Sequence, residues 1–509
     1  MTRRRGRDRR MEERRQAPVA AVSPGCPGGC YRPLSDSDVT AIHRCVMRLM
    51  EEVGFSGAIP PMVERVTQRG GRVCGNGRLH FPATLVEEVL RCSRRSFVAW
   101  GQTREHDLDI ADGRVHFGSG GASPNIVDLE TGRYRSATVR DLHDVARIVD
   151  TLENIHFYDR SLVACDIEDP LAFDINTAYA ILAGTAKHVG TSITEARNVE
   201  AVVGLFDAIA GGEGRYRQKP FAMLLSCHVV PPLRFAEEAL WVLERAIPLG
   251  MPVMLVSAGQ AGATAPATLA GAVAQAVAEA LAGLVYCHLI DPDCVAIIGP
   301  KPLVSDLRTG AMCGGSGEQA VAAAAATQMA RHYGLPCSVM AGITDAKVPD
   351  AQSGYEKACA VTLAAQAGCS MITQSCGMHA SLLGAAPESY IIDNDMLGAI
   401  MRTVRGIEVN DDTLSVDTVN EVVTGEGHYL GHSQTLGAMT RDYLYPRLAD
   451  RQPPGAWEEA GALDIRERAR HEARRILRDH RTGHFSRALD RHLRERFPIY
   501  LQPDAVHPP

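Results

Sequence analysis

The densest group of chemically capable side chains in the sequence lies between residues 342 and 357. An apolar run at 337–341, typical of a buried strand, precedes it. The group contains acids, amines, an amide and a phenol: Asp345, Lys347, Asp350, Gln352, Tyr355, Glu356 and Lys357. Polar groups this dense at the exit of a buried strand favour a functional loop over core packing. The alternative is a solvated loop that only caps the following helix.

Polar side chains also follow other apolar runs, at His228, Gln260 and His379. Glu318 begins a helical stretch behind the Gly-rich residues 314–317, where free backbone amides could bind an anion such as a carboxylate. The alternative there is that Ser316 and Glu318 simply cap the helix.

The adjacent residues Cys227 and His228 could be half of a zinc site, and Cys287 with His288 repeats the pair. Metal sites need three or four ligands. Neighbouring side chains on a strand point to opposite faces, so one pair cannot easily hold one ion. We therefore expect no protein-bound metal.

Eight short apolar runs alternate with helical stretches, and they must position these side chains. The runs are 115–117, 161–165, 188–192, 221–227, 252–257, 294–298, 337–341 and 369–373. The helical stretches are 139–152, 175–184, 196–210, 233–247, 266–284, 318–333, 351–367 and 393–405. Buried strands alternating with helices indicate a parallel sheet, and eight repeats predict an α/β fold of the (β/α)8 TIM-barrel type. Active sites of such barrels lie at the C-terminal ends of the strands, where most of the polar residues above stand.

The chain divides into four predicted parts, with N-terminal and C-terminal helical additions around the barrel. Residues 1–33 form a disordered basic tail and a Gly/Pro loop, and 34–110 form a mostly helical subdomain. Residues 111–405 form the barrel, and 406–509 form a helical extension. In that extension, the apolar residues of a charged helix near 464–480 recur at helical spacing. We expect this helix to lie against the barrel or a second subunit.

Composition limits the class of protein. The 509 residues are 45% apolar and 22% charged, which is typical of a soluble globular chain. A net charge of −7 argues against general affinity for nucleic acid, although eight arginines lie among the first fifteen residues. The fourteen cysteines are dispersed, without a C-x-x-C pair, so reduced thiols in a cytoplasmic protein are expected. We find no apolar run long enough to span a membrane.

Several segments, in order along the chain, resemble the trimethylamine methyltransferase family. They are 29–54, 128–132, Asp141-Leu142, Lys187-His188, 265–283, 306–310, 315–318, 344–356, 425–432 and Trp457. The resemblance implies a (β/α)8 barrel and transfer of a methyl group from a methylated amine to the cobalt of a corrinoid on a small partner protein. In archaeal members pyrrolysine lies near the strand before the Asp-x-Lys loop, whereas residues 340–344 here are ordinary. The chain thus resembles the glycine betaine methyltransferase type, which acts on quaternary amines.

The resemblance also implies roles for the polar residues. We expect Asp345 and Glu356 to be catalytic. We expect substrate binding by His228, Gln260, Glu318, Lys347, Asp350, Gln352, Tyr355 and His379. Acidic and aromatic groups would hold the cation, and Lys347 or residues 315–318 would hold a carboxylate. The expected cofactor is a corrinoid (cobalamin) on a corrinoid protein, without pyrrolysine in this chain. A homo-oligomer is expected.

Two other functions remain open. A Schiff-base lyase or aldolase would use Lys347 as its nucleophile. A non-catalytic protein would bind a betaine or a corrinoid without transferring a methyl group.

Overall fold

The computed structural model describes residues 22–507, so most of the predicted basic tail lies outside the described residues. The strands are β1 (Cys26–Pro27), β2 (Arg72–Val73), β3 (Leu79–His80), β4 (Ser96–Ala99), β5 (Leu108–Ala111), β6 (Arg114–Val115), β7 (Asn125–Val127), β8 (Tyr134–Ser136), β9 (Phe157–Asp159), β10 (His188–Thr191), β11 (Ala222–Ser226), β12 (Val253–Ser257), β13 (Gln260–Ala261), β14 (Ala296–Pro300), β15 (Leu303–Val304), β16 (Ser338–Met340), β17 (Met371–Thr373), β18 (Met378–His379) and β19 (Gly384–Ala385).

The helices are α1 (Asp36–Arg48), α2 (Pro60–Gln68), α3 (Ala83–Cys92), α4 (Val139–Asp150), α5 (Pro170–Gly184), α6 (Val199–Ile209), α7 (Glu237–Ala246), α8 (Leu269–Ile290), α9 (Gly317–His332), α10 (Ala351–Ala367), α11 (Pro387–Arg405), α12 (Asp411–Leu414), α13 (Val416–Thr424), α14 (Ser433–Arg441), α15 (Pro454–Glu459), α16 (Ile465–Asp479), α17 (Arg487–Arg496) and α18 (Pro503–Val506). A π-helical turn at Leu49–Val53 extends α1.

Parallel strands form the centre of the fold. Five of them pair in the order β14-β12-β11-β10-β9, and β16 pairs with β17. Isolated parallel bridges connect these two sheets and join Ile298 to Cys337, Phe117 to Ile372 and Gly118 to Phe157. A helix follows each of these central strands in the chain, so the fold is mixed α/β, as the sequence predicts.

The two faces of the parallel sheet have different surroundings. Tyr158, Leu224 and Leu255 lie in the main core with residues of the surrounding helices. The alternate side chains of the same strands lie in a separate apolar cluster, which the hairpin β4–β5 completes: Ala99, Leu108, Ile110, Phe157, Met223, Met254, Ile297 and Met371. Because successive side chains on a strand point to opposite faces, the second set defines what we call the helix-free face. Asp159 belongs to it, two residues after Phe157.

The predicted strand at 161–165 is wrong. The strand in this repeat is Phe157–Asp159, and the apolar residues that follow it contribute only a bridge between Leu162 and Ser123. The charged Asp159 interrupts the apolar pattern of the true strand and so conceals it. The other predicted strands overlap observed parallel pairings, although the first is reduced to the bridges at Phe117 and Gly118.

The N-terminal part contains the helices α1–α3 and also the hairpin β4–β5, which the sequence did not predict. Ser35 caps α1 in a reciprocal capping box with Asp38. The hairpin places Ala99, Leu108 and Ile110 against the N-terminal half of the helix-free face. It therefore closes that end of the sheet with apolar side chains.

The charged C-terminal helix is confirmed as α16. Ala469, Ala473 and Ile476 on its apolar stripe are buried, whereas Ile465 is 37% exposed. The helix contacts α11 and α4 of the same chain.

One helix in the described part of the chain, Leu269–Ile290, is long and apolar enough to cross a membrane. This corrects the expectation that no apolar run reaches that length. However, 83% of its apolar window is buried inside the protein, so it packs as a core helix.

Candidate functional site

The carboxylate of Asp345 holds neighbouring loops together. It accepts hydrogen bonds from the backbone N–H groups of Gly314 (2.9 Å) and Gly315 (3.3 Å) and from the Ser381 hydroxyl. The Cys313 thiol donates to it at 3.3 Å. This carboxylate thus joins the loop after β16 to the loops before α9 and after β18.

Glu356 is buried on the second turn of α10 and binds back to the same loop. Its carboxylate accepts from the Thr344 hydroxyl at 2.5 Å, the Asp345 N–H at 2.8 Å and the Gln352 amide at 2.8 Å. A side chain at Gly315 would place its Cβ 2.1 Å from Glu356 Oε2, so only glycine allows this approach. The structure therefore brings Asp345, Gln352 and Glu356 into one network.

The other predicted residues of this region face solvent. Lys347 is exposed, and its Nζ donates to the Asp345 backbone carbonyl at 2.6 Å. Asp350 caps α10 by accepting from the Ser353 N–H. Tyr355 is 65% exposed, and Glu318 is exposed on the first turn of α9.

Two predicted histidines are buried in the protein. His228 Nε2 contacts the Glu279 carbonyl at 2.9 Å and lies against Gly283 of α8, so its ring points away from the helix-free face. His379 contacts the Ser389 hydroxyl and the Ala346 carbonyl, and burial lowers its pKa well below the ordinary value. A neutral His379 therefore supports the loop after β16.

Asp159 is the most unusual polar residue on the helix-free face. It is 1% exposed, and within the described chain neither carboxylate oxygen receives a hydrogen bond. Burial raises its pKa to about 7, although the positive charge of Lys301 opposes this shift. A buried acid without a donor is costly unless something else binds it.

Glycines surround this carboxylate. A Cβ at Gly190 would lie 2.1 Å from Asp159 Oδ1, and one at Gly120 would lie 3.3 Å from Asp159 Cβ. The Ser119 hydroxyl donates to the Asp159 carbonyl at 2.8 Å and fixes the glycine-rich loop after Phe117. The missing side chains allow these two backbones to pack closely on the carboxylate, but they provide it with no hydrogen-bond donor.

Lys301 lies at the end of β14 and is 3% exposed. Its Nζ donates to the Thr373 hydroxyl at 2.7 Å and lies 3.8 Å from Met254 Sδ. Burial lowers its pKa, and Asp159 counteracts this. The Thr373 hydroxyl in turn contacts the side-chain amide of Gln374 at 2.5 Å. The backbone of Gln374 has a φ of +55°, which is uncommon for a residue other than glycine.

The C-terminal half of the helix-free face is open to solvent. Leu225 and Val256 are partly exposed and Cys227 is exposed. The preceding residues Leu224 and Leu255, which point to the other face of the sheet, are buried. These strands are internal to the sheet, so the exposure shows solvent-accessible space over this face. We call this space the mouth.

Arg160 follows Asp159 directly in the chain, and its guanidinium lies 5.7 Å from the centre of the Phe173 ring. Burial lowers the pKa of Arg160, and the charge of Asp174 opposes this shift. Burial raises the pKa of the Cys227 thiol, and the charges of Lys301 and Arg160 lower it. Both cations therefore interact electrostatically with this thiol.

Gln260 follows β12 in the phase of the helix-free face and is partly exposed. Among residues 22–507, no cluster of three or more His, Cys, Asp or Glu side chains has the geometry of a metal site.

Asp159, Arg160 and Lys301 were missed as site residues. The second strand was predicted at 161–165, after Asp159 and Arg160, so neither residue was expected at a strand exit. An Asp-Arg pair at the end of an apolar run, 157–160, was the available signal.

Comparisons with known proteins assign the family. The chain matches the trimethylamine methyltransferase (MTTB) family over residues 3–498. It is 30% identical over 474 residues to trimethylamine methyltransferase MttB of Desulfitobacterium hafniense, covering 92% of this chain and 93% of that protein. It is 27% identical to a glycine betaine methyltransferase of the same species, covering 88% and 92% respectively.

Among solved structures, monomethylamine methyltransferase MtmB of Methanosarcina barkeri aligns with a TM-score of 0.48 and 12% identity, covering 90% of this chain and 96% of that chain. The sequence matches extend over nearly the whole length of both partners. The chain therefore belongs to the trimethylamine methyltransferase family, a family of methyltransferases.

Proposed function

We propose that this protein removes a methyl group from a methylated amine, of the quaternary betaine type, and delivers it to the cobalt of a corrinoid carried by a partner protein. The carboxylate of Asp159, which is buried without a hydrogen-bond partner among the described residues, carries the proposal, because a cation is the ligand that such an acid binds best. Related proteins named trimethylamine and glycine betaine methyltransferases support an amine as the donor.

We infer that the parallel strands form one (β/α)8 barrel with the mouth at its C-terminal end. The bridges at Phe117, Gly118 and Ile298 support this inference, since they link the two parallel sheets in ring order. The apolar cluster with hairpin β4–β5 then forms the floor, and Asp159 lies above it.

The donor nitrogen is proposed to bind next to Asp159. A quaternary nitrogen cannot donate a hydrogen bond, so the contact is one of charge in a poorly hydrated site. During transfer the C–N bond breaks and its electron pair remains on nitrogen, which becomes a neutral tertiary amine. Asp159 therefore stabilises the bound donor rather than the transition state, and it loses its attraction for the product.

A carboxylate on the donor is proposed to face Lys301 and Arg160. Both cations interact electrostatically with Cys227, and Lys301 donates to Thr373 rather than to an acid. Burial lowers the pKa of each, and a bound carboxylate would offset that cost. This geometry replaces the expected role of Lys347, which is exposed and bound to a backbone carbonyl.

Asp345 and Glu356 are proposed to act as positioning residues. Their carboxylates hold the loop after β16, and Gly342 of that loop packs on Gln374 and Ser375. Gln374 lies beside Gly120, which covers the Asp159 side chain. The network thus fixes the loops that border the donor site.

The corrinoid supplies the methyl acceptor when its carrier protein binds. Its approach requires open space at the donor site, and the exposed Cys227 with the partly exposed Leu225 and Val256 is consistent with that requirement. The described residues do not need to supply a metal or a nucleophile. A homo-oligomer and a cytoplasmic location remain part of the proposal.

One observation favours a second candidate function. Lys301 is a buried lysine with a lowered pKa, and such lysines form Schiff bases in lyases and aldolases. In that reaction borohydride would trap a carbonyl substrate covalently on Lys301. The methyl-transfer proposal predicts no trapping.

The test is a donor panel with cob(I)alamin, in which methylated cobalamin is followed by absorbance. We expect methyl transfer from betaine-type quaternary amines and poor transfer from trimethylamine. Preference for trimethylamine would contradict the proposed donor. Donor binding without any transfer would identify a non-catalytic binding protein.

A further inference from the structure

The segment from residue 406 to residue 445, which we call the acidic segment, has almost no core of its own. It contains α12, α13 and α14, and Val422 is its one buried residue. Helices of four to nine residues are not stable in water without a surface to pack on. The segment therefore needs a covering partner.

The surface of the acidic segment carries both exposed apolar side chains and exposed carboxylates. Ile407 is 88% exposed, Leu430 79%, Val416 73% and Val409 70%. The segment has seven acidic residues and one arginine. Within the described chain, six exposed carboxylates have no Lys or Arg ion-pair partner: Glu408, Asp411, Asp412, Asp417, Glu421 and Glu426. A complementary partner must supply positive charge and tolerate apolar contact.

The chain itself contains such a partner. Residues 1–21 carry eight arginines and three acids, and they end in the apolar residues 17–21. Arginine pairs with carboxylates in a bidentate way, stacks on tyrosine rings and packs its aliphatic stem on apolar surface. Exposed Tyr429, Tyr443 and Tyr445 provide such rings.

The start of the described chain lies near the helix that leads into the acidic segment. Strand β1 contacts α11, which leads directly into that segment. The N–H groups of Gly29 and Tyr31 donate to the Gln366 carbonyl at 2.8 and 3.0 Å, and the Gln366 side chain reaches the Thr403 hydroxyl at 3.1 Å. The seven steps from Arg15 to Val22 can span about 25 Å.

We propose that the Arg-rich N-terminal residues 3–15 dock on the acidic segment of the same chain. This inference does not depend on the proposed methyl transfer. Because the connecting residues are few, the tail is held at a high effective concentration near the acidic segment. Weak ion pairs are therefore enough to keep it bound. Salt weakens the contact because its charges lie at the surface.

The test measures amide hydrogen exchange of residues 406–445 in the full-length protein. Replacing Arg3, Arg4, Arg5, Arg7 and Arg9 by Gln should accelerate exchange about tenfold if several surface ion pairs are lost together. A matched control replaces Arg475, Arg478, Arg481, Arg491 and Arg496 by Gln, with the same change in charge, and should leave the exchange rate unchanged.

A photo-crosslinking amino acid at position 11 gives a second measurement. Crosslinks should map within 406–445 of the same chain. Wild-type exchange in the five-residue tail variant, or crosslinks elsewhere, would overturn the proposal. If protection of residues 406–445 from exchange rises with protein concentration and is the same in the tail variant, the partner is a second copy of the chain. That result would also overturn the proposal.

Discussion

Asp159 combines features that structural carboxylates avoid. It is buried, receives no hydrogen bond from the described residues, and has glycines where neighbouring side chains would cover it. Burial raises its pKa to about 7, so the folded protein binds a proton more tightly than the unfolded chain does. Between the unfolded pKa near 3.8 and the folded value, stability must fall as pH rises.

The first prediction is Asp159→Asn. It should raise the free energy of unfolding at pH 8 by roughly 1–3 kcal/mol, because it removes a buried charge. The same change should weaken a quaternary amine donor ten- to a hundredfold, seen mainly in KM. Chemical unfolding and steady-state kinetics at pH 8 measure both quantities. A variant that is less stable, with unchanged KM, would make Asp159 a structural residue.

The second prediction concerns Lys301→Met. Without the ammonium group, donors that carry a carboxylate should lose about tenfold or more in affinity relative to tetramethylammonium, whose binding can change only through the effect of Lys301 on the charge of Asp159. Lys347→Met is the matched control and should alter neither ligand. Equal losses for both ligands would show that Lys301 supports the fold of the site and does not contact a carboxylate.

At the scale of elements, glycines allow particular strands and loops to approach each other closely. Gly190 of β10 stands beside Asp159 of β9 in the parallel register. The third prediction is that Gly190→Ala displaces the Asp159 carboxylate, since the added Cβ would lie 2.1 Å from Oδ1. Donor KM should rise at least tenfold. Gly204→Ala in α6 is the control, because nothing lies within 4 Å of its Cβ, and it should be neutral or stabilising.

The fourth prediction separates positioning from binding in the loop after β16. Glu356→Gln should lower the melting temperature, because an amide cannot accept from Thr344, Asp345 and Gln352 at once. Donor affinity should change less than in Asp159→Asn. A large affinity loss at unchanged melting temperature would instead place Glu356 in contact with the donor.

Apolar periodicity predicted the repeating elements well. Helix α10 has the predicted bounds, since Asp350 caps its start and Gly368 ends it with a φ of +86°. Strand β9 was missed because Asp159 breaks its apolar run. Hairpin β4–β5 was missed because its strands have only four residues each and lie outside the repeating order of strands and helices. A charged residue on the helix-free face thus concealed one strand of the repeat.

The site itself was only partly predictable. The sequence pointed to Asp345 and Glu356, whose carboxylates the structure joins through backbone amides. It could not show that the His228 ring points toward α8, because a shift of one residue along a strand moves a side chain to the opposite face of the sheet. Nor could it show that the Asp159 carboxylate lacks a hydrogen-bond donor, because that depends on how four strands, distant in the sequence, pack together.

At the scale of the molecule, the family match extends over nearly the full chain, and the C-terminal helices pack against the helices that surround the sheet. The fifth prediction is that Ala473→Asp, which buries a charge between α16 and α11, destabilises the whole protein by roughly 2–5 kcal/mol. His471→Asp on the exposed side of α16 is the control. If Ala473→Asp unfolds only α16 and leaves the main transition unchanged, the extension is an independent unit.

The most direct test of the account is the number of protons released when a quaternary amine binds. Calorimetry at pH 7 in buffers of different ionisation enthalpy gives this number. With a pKa near 7, Asp159 is about half protonated, so binding a cation should release about half a proton in the wild type and none in Asp159→Asn. Binding without proton release, or equal release in the variant, would contradict the claim that Asp159 holds the donor cation.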